Sequence, residues 1–157
     1  MGLSLVTGPA SEPISVATAK SHMRVDISDD DTLIGTYITA ARQYAEGVTR
    51  RAFVEQTWDY KIDAFPVGCI ELPIQPVTSV SYVQYVDTSG NTQSFNYSTS
   101  PETPKYDVFT DGPRTRIAPK YNVVWPYTRD QINAVTVRFV AGYDSFPSDL
   151  TLALLLL

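Results

Sequence analysis

The sequence predicts an α+β fold, a small helical bundle of a short helix, a long helix and a C-terminal helix with an inserted antiparallel β-rich subdomain. Three observations predict it. Helical periodicity fills the first third of the chain, two-residue alternation dominates the middle, and an apolar run with a helix-start signature closes it. The 157 residues, 43% of them hydrophobic, suit one domain with a real core. The expected division puts the helical part at 13–52 and 147–157 and the β-rich insertion at 53–146.

In "SEPISVATAKSHMRV", Pro13 fixes an extended approach and Ser15 is a candidate N-cap; Val16, Ala19 and Met23 then recur at helical spacing. A long helix follows. Ser28 can cap it, and Asp29, Asp30 and Asp31 load its first turn with the negative charge that the helix dipole favours. Leu33, Ile34, Tyr37, Ile38, Ala41, Tyr44, Ala45 and Val48 form a continuous apolar stripe. Arg50 and Arg51 are expected in its last turn, where cations suit the dipole.

From Val54 the period becomes two. Val54, Trp58, Tyr60, Ile62 and Ala64 share an apolar face interrupted by Gln56, opposite a wet face of Glu55, Thr57, Asp59, Lys61 and Asp63. Pro66 and Gly68 end this strand. "CIELPIQP" supplies a short strand, Ser79 to Val86 a longer one, "DTSGN" a turn and Thr92 to Tyr97 a returning strand. "STSPETP" is a polar loop, and "KYDVFTDGPRTRIAP" has the form of a hairpin turning at Asp111-Gly112. In "NAVTVRFVAGY", Val135, Val137, Phe139 and Ala141 point inward. Ser148 is a candidate cap for the helix "LTLALLLL", which is apolar nearly all round and must bury itself against the core or a neighbouring subunit, or else is the stub of a longer helix.

The chemistry-bearing patterns are sparse. No Gly-rich phosphate loop and no nucleophile elbow is present. Cys69 and His22 are the only residues of their kinds, so a disulfide and a Cys/His zinc cluster are excluded within the chain, and neither has a second residue of its kind to work with. Glu55 and Asp59 share a strand face roughly 13 Å apart, too far for the ~5–9.5 Å of a glycosidase pair. Asp29 to Asp31 lack the alternating spacing of a calcium loop. The reading is a protein that is not an enzyme, with no cofactor and no metal.

Twelve Lys and Arg against seventeen Asp and Glu give a net charge of −5, which argues against broad wrapping of nucleic acid. The N-terminus has no basic region followed by an apolar one, and Val6 stands where a myristoylation signal wants Ser or Thr. The closing apolar run is far shorter than the roughly 20 residues of a membrane span, so no membrane is expected and synthesis in the cytoplasm is. Ten tyrosines, among them Tyr82, Tyr85, Tyr97, Tyr106, Tyr121 and Tyr127, exceed what the core of a domain this size needs and suit an interface.

"EPISVATAKSHMRVD", "DDDTLIGTYITAARQYAEGVTRRAFVEQTWDYKIDAFP", "IELPIQPVTSVSYVQYVDTSGNTQ", "WP" and "VTVRFVAGY", in that order, resemble the head–tail connector (adaptor) proteins of long-tailed bacteriophages and prophages. The run from "AARQYAE" through "RR" to "QTW", closing on "FP", is the most specific part. The resemblance implies a structural virion protein at the head–tail interface. It would form a ring, normally dodecameric, under the portal protein, extend the channel for double-stranded DNA and seat the tail or its stopper. The family usually continues past the last apolar helix, whereas this sequence stops at Leu157, so the resemblance does not carry docking through a C-terminal tail.

A ring needs two different complementary surfaces on each subunit. Arg42, Arg50, Arg51, Leu154, Leu155, Leu156 and Leu157 are the candidate inter-subunit or portal contacts, with Asp29 to Asp31 at the opposite helix end. The negative net charge would let DNA slide without sticking. The alternative is a β-rich module of a virion or secreted protein that grips carbohydrate or a receptor through exposed Trp and Tyr. The long helix argues against a pure sandwich.

Overall fold

In the computed structural model of the chain, residues 1–96 and 105–157 are described. The polar loop expected at 98–104, with Tyr97 of the returning strand, lies outside the described residues. The elements run β1 (Gly2–Thr7), α1 (Val16–Met23), α2 (Asp31–Thr49), β2 (Gln56–Ile62), β3 (Ile70–Glu71), β4 (Val77–Val86), β5 (Thr92–Ser94), β6 (Tyr106–Asp111), β7 (Arg114–Pro119), β8 (Val135–Ala141) and α3 (Ser148–Leu155).

The strands form two antiparallel sheets, ordered β1-β2-β8-β4-β5 and β3-β7-β6. β8 is the central strand of the larger sheet, pairing with β2 from Gln56↔Ala141 to Ile62↔Val135 and with β4 on its other side. Its alternation has the expected result: Val135, Val137, Phe139 and Ala141 are fully buried. They share one core with Ile62, Val83, Phe95 and Ile70, Leu72, Ile74 and Ile117 from the second sheet and its approach. Phe65 closes one end of this core, stacked on Trp125 at 4.6 Å and 6°. The hairpin β6–β7 turns through Gly112 and Pro113. Gly112 sits at φ +63°, the positive value that the first central position of a II′ turn demands.

The helices make a second, smaller core. Ile38, Ala41 and Ala45 of α2 pack with Ile14, Phe53, Phe146, Leu150, Leu154 and Leu155. Ser15 caps α1 as expected, its Oγ accepting the Thr18 N–H at 3.1 Å.

Four expectations are corrected. α2 starts at Asp31, so Asp29 and Asp30 precede its first turn and Ser28 does not cap it. Asp31 is instead held by Lys20 of α1, whose Nζ donates at 2.6 Å. Arg50 and Arg51 fall beyond the helix, because Arg50 adopts the left-handed conformation (φ 56°, ψ 36°) that ends it. Ser148 is the first helical residue of α3, and Pro147 occupies the cap position. The supposed wet face of β2 buries Asp59: β2 is an interior strand, and Arg138 stands directly opposite on β8, donating from Nε and Nη2 at 2.8 Å each. The same guanidinium lies 5.0 Å over the Tyr82 ring on β4. β1 was not foreseen; it pairs with β2 from Gly2↔Lys61 onward and supplies the sheet edge.

The chain leaves β8 through Gly142, at φ +148°. A Cβ there would lie 2.5 Å from the Glu55 backbone nitrogen, so the two passing segments touch backbone to backbone. Gly142→Ala is therefore expected to lower stability by at least about 2 kcal/mol, through clash and strain together. Phe139→Ala should cost about 3–5 kcal/mol by opening a cavity in the central strand. Urea midpoints at constant m-value check both.

Candidate assembly surface

The junction between α2 and β2 is built around Glu46, one turn from the helix end. Its Oε2 accepts from Arg42 Nη1 at 2.8 Å, and its Oε1 accepts from the Phe53 N–H and from Gln56 Nε2, each at 2.8 Å. Arg42 is buried and reaches back with Nε and Nη2 to the two oxygens of Glu12, at 2.7 and 3.2 Å. Thr39 Oγ1 donates to the same carboxylate at 2.9 Å. Arg42 thus ties the approach to α1 to the body of α2, and its partner Glu46 carries the link on to the start of β2.

Gln75 supplies the other half of the clamp. Its backbone carbonyl accepts from Ala52 at 2.8 Å and its N–H donates to the Arg50 carbonyl at 3.2 Å, forming a parallel bridge beside Arg51. Its side chain donates to the Leu72 carbonyl and accepts from Thr115 Oγ1. The turn "RRAF" is therefore fixed on both sides although it has no regular structure of its own.

The predicted contact residues separate under this geometry. Arg42 lies inside the subunit, with both its carboxylate partners. Arg51 is half-buried; its Nε donates to Tyr143 Oη at 2.9 Å and its guanidinium lies 5.7 Å over that ring. Arg50 is exposed. Leu154 is buried in the helical core and Leu155 half-buried against it, while Leu156 and Leu157 are exposed.

The apolar stripe of α2 also divides. Ile34, Ile38, Ala41 and Ala45 face inward, whereas Leu33 (48% exposed), Tyr37 (62%), Tyr44 (65%) and Val48 (67%) face out. Tyr37 and Tyr44 border an open apolar groove of about 510 Å³ floored by Ile14, Ile34, Ile38 and Leu154 and walled by α1 and α3, while Leu33 and Val48 lie outside it. The only charged residues of α2 are Asp31, Arg42 and Glu46, and each is in an ion pair within the subunit. Its outer face therefore carries no free charge. Large aromatics with charge depletion mark the centre of protein interfaces. The sequence showed the stripe but not its division, because a stripe wider than one neighbour can cover looks the same as one fully buried.

Tyr121 and Tyr127 are exposed as well, Tyr82 and Tyr85 are half-buried, and Tyr106 is in the core. Asp59, considered for an acid pair, is bound to Arg138, and Glu55 is exposed. No group of three His, Cys, Asp or Glu that could hold a metal occurs among the described residues, and none of their helices is long and apolar enough to cross a membrane.

The fold and this surface define a structural assembly subunit. Residues 13–106 match the family described as "Phage gp6-like head-tail connector protein", and the chain belongs to that family. Its fold is similar to a chain in the "Neck of empty GTA particle computed with C6 symmetry", at a TM-score of 0.82 and 26% identity over 100% of this chain and 81% of that one. It is also similar to chains in the "Virion of native gene transfer agent (GTA) particle" (TM-score 0.77, 26% identity, 100% and 81% covered) and the "Neck of native GTA particle computed with C12 symmetry" (0.73, 28%, 100% and 80%). No curated protein matches the sequence.

The buried network sets a pH response. Burial raises the Glu12 pKa, but the hydrogen bonds from Arg42 and Thr39 and the Arg42 charge outweigh it and hold the carboxyl below its ordinary value. The Arg138 hydrogen bonds do the same for Asp59 against a smaller opposing effect of burial. A carboxylate with a depressed pKa stabilises the fold above its unfolded pKa of about 4, and that contribution is lost as pH falls through the folded value. Stability should decline from about pH 5 downward. Glu12→Gln and Asp59→Asn should each be less stable at pH 7 yet show a shallower decline, read from urea midpoints across pH 2–7. Arg42→Leu should cost about 3–5 kcal/mol, since it leaves two carboxylates without their cation.

Proposed function

We propose that copies of this chain form a ring in the neck of a virion, under the portal protein, where the ring extends the DNA channel and seats the tail or its stopper. The chain acts there as a structural part and performs no reaction. The observation that carries this reading is the similarity of the whole chain to neck chains in particles with C6 and C12 symmetry, together with its connector family. In this reading the helical part, 13–52 and 147–157, forms the body of the ring and the β-rich insertion, 53–146, decorates it. Double-stranded DNA passes without sequence-specific contact, helped by the net charge of −5.

Among the predicted cations, Arg50 is the one left to reach another molecule, because Arg42 and Arg51 already have partners inside the subunit. We assign it to an inter-subunit or portal contact, with Leu156 and Leu157 as apolar contributors. Particles made without the protein should be filled heads that lack tails and leak DNA, as seen by electron microscopy; tailed, stable particles would overturn the reading. Arg50→Glu should reduce incorporation into particles by roughly tenfold or more while leaving the unfolding free energy, from urea denaturation, within about 0.5 kcal/mol. Unchanged incorporation would remove Arg50 from the contact.

A further inference from the structure

We infer that the groove between α1, α2 and α3 receives the outer face of α3 from a neighbouring copy of the chain, with Leu152 and Leu156 as the inserted side chains. This deepens the connector reading and rests on it.

The groove has an apolar floor closed by Ile14, Ile34 and Leu154, and its rim is Met23, Tyr37, Tyr44 and Leu157. A surface of this kind takes an apolar helix with anchors one turn apart. α3 offers such a face. Leu154 and Leu155 line the groove of their own subunit, whereas Leu152 and Leu156, four residues apart on one side of the helix, do not line it and are exposed. One subunit therefore leaves open both a groove and a matching ridge, on different sides of the same helical core.

Charge restricts the occupant further. α2 has no free charge to present, and from Leu150 to Leu157 no side chain is charged, leaving Asp149 as the only charged residue of α3. His22 of α1 is the one side chain lining the groove that can be charged near neutral pH, too little for DNA or a strongly charged protein face to pair with, while two largely apolar faces lose little by meeting. Area agrees. Met23, Tyr37, Tyr44 and Leu157 of the groove rim together expose on the order of 500 Å², estimated from ordinary side-chain areas. A stable contact buries about 800 Å² per partner, so the rim supplies more than half of one side, and Leu33 and Val48 farther along α2 lie next to it. A groove that accepts and a ridge that inserts make a head-to-tail contact, which closes into a ring when the rotation allows.

The test uses short bis-maleimide crosslinking in a Cys69→Ser background, because Cys69 is the only natural thiol. Tyr37→Cys and Leu152→Cys are made as separate proteins and as a double variant, with Tyr44→Cys and Leu156→Cys as a second pair in another register. Mixed single variants should give a crosslinked dimer, each alone should give none, and the double variant should give a ladder. Leu152→Asp should weaken association by about a hundredfold with helix content unchanged by circular dichroism. Crosslinks only between identical variants, or no mixed crosslink from either pair, overturn the assignment. Electron microscopy of the same samples separates the two readings: rings without the mixed crosslink remove the groove and leave the connector. Absence of the protein from particle necks removes the connector reading itself.

Discussion

The buried Arg42 is the interaction on which the rest of the subunit depends. A buried guanidinium is tolerable only when its charge is matched and its donors are occupied. Glu12 and Glu46 do both, and the consequence is geometric rather than merely energetic. Glu12 precedes α1, Glu46 lies in α2, and Glu46 also holds the Phe53 N–H and the Gln56 amide at the threshold of β2. Three segments distant in sequence are thereby tied to one point. α2 can then end abruptly at a left-handed Arg50 without the following chain swinging free. Hydrophobic contact alone would hold α2 near the sheet, but it would not fix where the sheet begins.

The same logic governs the larger sheet. β8 runs between β2 and β4 with its apolar residues entirely buried on one side, and on the other side Arg138 bridges Asp59 to the face of Tyr82. An arginine is well suited to this place because its planar fork meets a carboxylate with two donors and its flat face meets an aromatic ring. Directly opposed residues of unlike charge also pin the register, since a one-residue slip would put Arg138 against an apolar neighbour.

The strands with strict alternation were legible in the sequence, β8 most plainly, as were the Gly112 hairpin and the Ser15 cap. Each is decided by residues close together in the chain. What escaped was decided at a distance. β1 has little alternation of its own and exists because β2 offers it an edge. Asp59 looked solvated because its partner lies 79 residues away. Arg42 looked like a surface cation because Glu12 is thirty residues upstream and nothing local announces the pair. The candidate contact set was accordingly mixed. It joined an internal arginine to an exposed one, and a core leucine to exposed ones, since side-chain type identifies what can bury and not what it meets.

Neutralising α2 from within changes what its outer face can do. A helix exposed on an acidic protein normally presents charges that keep neighbours apart and preserve solubility. Here Lys20, Glu12 and the internal Arg42–Glu46 pair remove every charge the helix has, and Leu33, Tyr37, Tyr44 and Val48 stand on the remaining surface. Such a face can be recognised only by shape and by exclusion of water, so its attraction is short-ranged and hardly screened by salt. Under the proposed assembly, long-range selection would come from elsewhere, from groups such as Arg50 at one end of α2 and Asp29 and Asp30 at the other, which are charged and open to solvent. In the proposed ring, division of labour of this kind would separate encounter from commitment: exposed charges would orient two subunits, and the apolar face would hold them once they are aligned. The ion pairs within the subunit would make that division possible, because any one of those charges left without its partner would have to be stripped of water if the face closed.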